Sequence, residues 1–253
     1  MIKRINTGIT DKKGKLALDE LMGGGIPIGN SVLVTGASGT GKSTFCYQVT
    51  QQQAKEGKIC YYVAFDQTEE DVIENAKAVG INLKHKNIFI QTYNELQDLV
   101  IDELIELIKG SEVDFLVLDS IASISGILPE AEFAKISQAK INQNYMPMMA
   151  SESRVIRKAI RRIVLALKEH KITSLLINEL PEGTKKLSKD DESDFLADGV
   201  IVMYYLPIGE DETNAFRSMR IRKMRKTNHE KGIILYSLTN KGIILAEDPM
   251  KKF

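Results

Sequence analysis

The run Gly36-Ala37-Ser38-Gly39-Thr40-Gly41-Lys42-Ser43-Thr44 carries the most specific chemistry in the chain. It fits GxxxxGK[ST], a spacing in which a glycine-rich backbone folds tightly and turns consecutive N–H groups toward phosphate oxygens. Lys42 brings a point charge to the β- and γ-phosphates, and Ser43 brings a hydroxyl to Mg²⁺. The helix that follows adds unpaired N–H groups and the positive end of its dipole. Asp119 ends the apolar run FLVLD. A carboxylate at the tip of a buried parallel strand lies beside such a loop and holds Mg²⁺ through water. Together these residues predict binding of a nucleoside triphosphate with Mg²⁺.

Those side chains need a strand before the loop and a helix after it, and the sequence supplies both. Residues 31–36 (SVLVTG) read as a strand and 43–55 as a helix. Residues 59–65 (ICYYVAF) and 87–91 (NIFIQ) read as further strands, with a helix over 69–79 between them. In 95–109, Leu96, Leu99, Val100, Leu104, Leu107 and Ile108 fall on one helical stripe. Residues 114–119 and 172–178 are apolar without alternation, as a central parallel strand covered on both faces must be. A long helix is expected over 152–170, and from Gly199 onward strands over 199–206, 217–226, 233–238 and 242–246. The Lys-Gly pairs at 231–232 and 241–242 suit turns between antiparallel strands. Residues 23–30, 125–150 and 181–194 read as loops. The expected fold is α/β, with a mostly parallel central sheet and an antiparallel C-terminal extension.

Composition narrows the partners. The chain has 253 residues, with Lys+Arg 34 balanced by Asp+Glu 34, so no global positive field holds nucleic acid nonspecifically. Cys46 and Cys60 are too few for a disulfide framework or a structural zinc site, and both read as buried apolar thiols. His85 and His170 have no partner at metal-ligand spacing. The opening MIKRINTGITDKKGK leads into no apolar signal segment, and no stretch reaches the ~18 apolar residues of a membrane span. A soluble, cytoplasmic protein with no membrane partner is expected, organised as one domain over 1–253.

At this level of detail a resemblance can be read. LDELMGGGIPIGNSVLVTGASGTGKST, then YYVAFDQTEEDV, FLADGVIVM and the late stretch from Lys223 to Gly232 (KMRKTNHEKG) resemble a single domain of the KaiC-type ATPases of the RecA-like superfamily. The likeness runs from about residue 8 to 245. It implies ATP and Mg²⁺ as ligands and hydrolysis as the reaction. Members of that family commonly carry two adjacent glutamates after the second strand, which orient or deprotonate the attacking water. Asp66-Gln67 stands there in this chain. Asp is one methylene shorter, and a misplacement near 1 Å costs about 10²-fold in rate. Gln orients water but is no base. Binding is thus expected with slow hydrolysis, or as a switch with little hydrolysis.

The resemblance also implies that Lys223 and Arg225 reach across a subunit boundary to a neighbour's γ-phosphate, as an arginine finger does. That requires a homo-oligomer, a hexameric ring with nucleotide at the subunit interfaces. For the crowd of Arg217, Arg220, Arg222 and Lys226 around them, a solvated basic face suffices. His229 fits the same motif but also suits a purely structural place. Glu179 falls near where the family senses the γ-phosphate, or is a plain loop carboxylate, while Asp198 reads as structural. On the helix 152–170, Arg154, Arg157, Lys158, Arg161 and Arg162 line one side and Ile156, Ile160, Ile163, Val164 and Leu167 the other. That basic side fits solvent, an acidic contact such as 190–194, or nucleic acid. Single-strand binding adds aromatic platforms, and only Tyr145 is available in 139–150. An ATP-dependent regulator of a protein partner therefore ranks ahead of a DNA-binding ATPase.

Overall fold

The computed structural model describes residues 2–14, 17–93, 100–110, 112–124, 148–180, 184, 186–188, 192–208 and 211–246. Leu96, Leu99 and the segment holding Pro129, Tyr145, Met146 and Pro147 lie outside them.

The chain first makes β1 (Arg4–Ile5), a short α1 (Leu18–Leu21) and β2 (Ile26–Pro27). The core follows: β3 (Ser31–Gly36), α2 (Lys42–Lys55), β4 (Cys60–Ala64), α3 (Glu69–Ala78), β5 (Ile88–Thr92), α4 (Val100–Gly110) and β6 (Phe115–Asp119). A 3₁₀ turn at Ile121–Ser123, then α5 (Met148–Glu169), β7 (Thr173–Glu179) and α6 (Ser193–Leu196) lead to β8 (Gly199–Ile208), β9 (Asp211–Met224), β10 (Ile234–Thr239) and β11 (Gly242–Leu245). Nine strands form one sheet in the order β11-β10-β9-β8-β3-β7-β6-β4-β5. The six from β8 to β5 are parallel, and β8 through β11 are joined antiparallel. This is the expected parallel core with an antiparallel edge.

Both faces of the central strands are covered, which is why β3, β6 and β7 lack alternation. On one face Phe45, Cys46 and Val49 of α2 and Val72 and Ala76 of α3 pack on Val32, Val34, Tyr62 and Val117. On the other, Leu104 and Ile108 of α4 and Ile160, Ile163, Val164 and Leu167 of α5 pack on Leu33, Val63, Leu116 and Leu176. The α4 stripe is turned slightly from the expected one. Ile101, Leu104, Ile105 and Ile108 are buried and Leu107 only partly, because α4 must meet α5 as well as the sheet.

Three elements differ from the sequence reading. β9 starts six residues earlier than expected, as the outer arm of a hairpin with β8. Residues 23–30 contain β2, which pairs antiparallel with β1. α5 begins at Met148, inside the stretch read as loop. The glycine lead-in has a packing role: Gly23 has φ +64, and a Cβ there would lie 2.8 Å from the Asn228 carbonyl oxygen. Arg4 fastens the same corner, donating to Gly25 O at 2.9 Å, Thr227 Oγ1 at 2.8 Å and Lys226 O at 3.0 Å. Two of the segments that carry the family resemblance, GGG and the 223–232 stretch, are therefore packed on each other.

Candidate nucleotide site

The C-terminal ends of β3, β4, β6 and β7 lie along one edge of the sheet, the position where open α/β sheets bind ligands. A cleft of about 420 Å³ opens there, lined by Ser38, Gly39, Gly41–Thr44, Asp66, Gln67, Asp119, Ser120, Ser123 and Glu179, among others. The expected phosphate loop, the strand-tip aspartate and the Asp66-Gln67 pair are thus brought together by the fold.

The loop leaves β3 at Gly36, whose φ is +152 and whose Cα faces the Met203 carbonyl oxygen so closely that no Cβ would fit. Its middle is held from outside. Tyr236 donates to Thr40 O at 2.5 Å and Thr40 Oγ1 donates to Ala37 O at 2.8 Å. Arg217 stacks 5.3 Å above the Tyr205 ring and donates to Gly39 O at 3.5 Å. α2 then starts at Lys42 with no side-chain cap, so its first N–H groups face the loop.

Lys42 is 6% exposed. Its ammonium donates to Ala37 O at 2.9 Å and lies 3.8 Å from Glu179 Oε1. Burial lowers its pKa, while Glu179 and Asp119 pull the other way. Glu179 itself is 58% exposed, so its carboxylate is free to turn with solvent. Asp119 is 7% exposed, and burial raises its pKa against hydrogen bonds from Tyr62 and Ser43 and the charge of Lys42. The Asp119 carboxylate and Ser43 hydroxyl are hard oxygen donors in contact with each other, beside a buried cation. This donor set suits Mg²⁺ shared with a phosphate. Among the described residues no group of three His, Cys, Asp or Glu side chains could hold a metal by itself.

Asp66 and Gln67 are set between two fixed points. Phe65 is buried, stacks on Tyr93 at 5.9 Å and donates its N–H to Asp119 O at 2.9 Å. Thr68 caps α3 reciprocally with Asp71, the capping-box arrangement. Asp66 is exposed in the cleft, whereas Gln67 Oε1 accepts from Asn75 Nδ2 at 3.1 Å. Gln67 thus lines the cleft with its carbonyl oxygen already engaged.

Lys223 and Arg225 are elsewhere. Lys223 donates to Asp194 O at 2.9 Å and Ala197 O at 2.7 Å, and Arg225 to Asp198 Oδ1 at 3.0 Å. A β-bulge between Val200 and Ile201 sets Arg222 out of register, and both cations meet the same 194–198 segment. Burial and the Arg225 charge lower the Lys223 pKa. Asp198 also accepts from Lys168 at 3.1 Å and from Ser31 N at 3.2 Å, which gives it the structural place expected. Ser31 begins β3 and Gly36 ends it, so this cluster and the phosphate loop are roughly 17 Å apart along one strand. His229 contacts Glu230 O on the docked turn.

The basic side of α5 is partly neutralised. Arg161 lies 3.7 Å from Glu192 and Arg162 2.6 Å from Asp102. Cys46 and Cys60 are buried free thiols, and no helix among the described residues is long and apolar enough to cross a membrane.

Sequence reasoning passed over Tyr62, Tyr205 and Tyr236, and read Arg217 as part of a solvated basic face, whereas it stacks on Tyr205 and donates to the phosphate loop. Tyr62 left only a weak signal, since it shares its strand with a second tyrosine, Tyr61. The other three depend on which strands pair, and no local pattern carries that.

Comparison with known proteins agrees with this geometry. The family model described as "ATPase: KaiC" matches residues 6–250. The circadian clock oscillator protein KaiC of Synechococcus elongatus is 27% identical over 231 residues, covering 89% of this chain and 42% of that protein. KaiC 1 of Synechocystis is 29% identical over 241 residues, with coverage of 89% and 42%. The chain thus spans less than half the length of these relatives. The crystal structure of a KaiC-like protein from Pyrococcus horikoshii superposes with TM-score 0.74 at 27% identity, covering 98% of this chain and 100% of that one.

Proposed function

Because the chain belongs to the KaiC family of ATPases, a nucleotide-binding group with a RecA-like fold, we propose that it binds Mg-ATP in the strand-tip cleft and hydrolyses it slowly as a head-to-tail ring. Lys223 and Arg225 of one copy complete the site of the next. The observation that carries the proposal is their place on the fold: they are tied at the N-terminal end of β3, and the phosphate loop is at its C-terminal end. Cations so placed serve no nucleotide of their own copy. A heterologous contact brings one end against the other and closes into a ring, the hexamer that the family resemblance implies.

In this reading the phosphate loop N–H groups and Lys42 hold the β- and γ-phosphates, Lys42 exchanging the Ala37 carbonyl for phosphate oxygens. Ser43 and Asp119 hold Mg²⁺, which neutralises charge on the phosphate oxygens. Asp66 orients or deprotonates the water, Gln67 directs it through its amide, and Glu179 answers the state of the γ-phosphate through Lys42. Nucleotide-dependent changes at the subunit boundary then act on a protein partner.

A second reading, an ATP-gated assembly switch with little turnover, is favoured by one contact. Asn75 occupies the Gln67 carbonyl, so that oxygen is not free to accept a hydrogen bond from an attacking water. A DNA-binding ATPase is disfavoured by the acidic partners of Arg161 and Arg162. The test is phosphate release from Mg-ATP, with Lys42→Ala as blank, single-stranded DNA in parallel and sedimentation with and without nucleotide. Turnover above the blank in nucleotide-dependent particles supports the ring ATPase. Particles without turnover support the switch, and stimulation by DNA supports the third reading.

A further inference from the structure

Tyr62 lies in the middle of β4, fully buried, in a face otherwise built from Cys60, Ala64, Phe115 and Val117. In the parallel register Tyr62 is opposite Val117 and Ala64 is opposite Asp119. Tyr62 and Asp119 are therefore diagonal neighbours on the same face, a span that an aromatic side chain reaches. It does so: the Tyr62 hydroxyl donates to Asp119 Oδ2 at 2.5 Å. The ring is braced by Tyr47 of α2, with centroids 5.1 Å apart at 39°. Ser43 supplies the other hydrogen bond to the carboxylate. A buried phenol braced by Tyr47, with which it also shares a side-chain hydrogen bond, leaves the carboxylate little rotational freedom.

We propose that Tyr62 is a positioning residue for the metal. Its hydroxyl fixes the plane of the Asp119 carboxylate, so that the remaining oxygen faces Ser43 and the Mg²⁺ site. The proposal rests on the reading of Asp119 as a metal-holding residue. A phenylalanine would fill the same space and leave the carboxylate to rotate. Outer partners of this kind are worth about 10–100-fold in metal affinity.

The test uses the full chain with Mn²⁺ as the metal and AMP-PNP as the nucleotide, free Mn²⁺ being read by electron paramagnetic resonance. Tyr62→Phe is expected to weaken Mn²⁺ binding to the protein–AMP-PNP complex about 10-fold. AMP-PNP binding in EDTA should not change, and in an Asp119→Asn background Tyr62→Phe should have no further effect on Mn²⁺. Unchanged Mn²⁺ affinity in Tyr62→Phe overturns the proposal, and so does an equal loss of AMP-PNP affinity in EDTA, which a merely structural role produces. If Asp119→Asn binds Mn²⁺ as the wild type does, the metal reading of Asp119 fails. If only Asp119→Asn loses Mn²⁺, the role of Tyr62 fails alone. A measurement on the wild type covers the case of a poorly folded variant. The chain has 8 tyrosines and no tryptophan, so its near-ultraviolet circular dichroism reports tyrosine directly. Adding Mg²⁺ to the AMP-PNP complex should give a tyrosine difference band that Asp119→Asn lacks; a flat difference spectrum overturns the proposal.

Discussion

Arg225→Ala separates the proposed role of the side chain from its contribution to stability. Its guanidinium is 51% exposed, and among the described residues it is paired with Asp198. Asp198 keeps Lys168 at 3.1 Å and the Ser31 N–H when Arg225 is removed. No buried charge is stranded, so the loss is that of an exposed pair, about 0–1 kcal/mol. For a chain of this size that lowers the melting temperature by no more than about 2–4 °C. Turnover should fall far more, by about 10³-fold or greater, the scale of an arginine finger. The decisive assay mixes Arg225→Ala with Lys42→Ala in equal amounts, after sedimentation has shown that both enter the same particles. Each variant alone lacks one half of every composite site. In a head-to-tail assembly about one contact in four then joins an intact phosphate loop to an intact Arg225. Phosphate release should recover to about a quarter of the wild-type rate, whatever the ring size. Mixed particles with no recovery, or Arg225→Ala alone at the wild-type rate, would refute the argument.

Other substitutions test the rest of the site. Tyr236→Phe removes a buried hydrogen bond to the Thr40 carbonyl and should cost about 1 kcal/mol in denaturant unfolding, with weaker ATP binding by calorimetry. Asp119→Asn should raise the melting temperature of the metal-free protein at neutral pH while removing its stabilisation by Mg-ATP. Burial raises the Asp119 pKa above 3.8, so the folded state keeps a proton that the unfolded chain has already released. The ionised carboxylate therefore destabilises the fold above that raised pKa. The advantage of Asn should shrink as pH falls through it and level off below 3.8, read as melting temperature against pH. Gln67→Glu restores an acidic pair in the cleft and should increase phosphate release. An unchanged rate would place the limit on turnover elsewhere than at that position.

The parts legible in the sequence were those that local pattern encodes. The phosphate loop needs only glycine spacing and its flanking strand and helix, and β6 and β7 announced themselves as apolar runs ending in a polar residue. Asp66 and Gln67 could be located only through the family resemblance, as the pair standing after the second strand. What escaped depends on pairing between distant segments. β1 and β2 are two residues each and carry no period. The early part of β9, Asp-Glu-Thr-Asn-Ala, has no alternating apolar residues to announce a strand, and only its pairing with β8 makes it one. The hold of Asp198 on Arg225, Lys168 and Ser31 joins four places in the chain, and no one of them shows it locally. Tyr62 was passed over because its partner is on another strand.

β9 connects two places that chemistry keeps apart. At Arg217 it meets the phosphate loop of its own copy, and at Lys223 and just beyond, at Arg225, it carries the cations proposed to serve the next. Between them it is clamped to β8 by a continuous antiparallel ladder, broken only by the bulge beside Arg222. A stiff rod of this kind passes displacement on. In the proposed ring, filling one cleft shifts the rod's near end and so resets the stance of the far end in the adjoining cleft. The message travels one way round the circle, because each rod has its own cleft at one end and its neighbour's at the other. Events at successive sites would then follow in a fixed rotational order, as with tumblers in a lock.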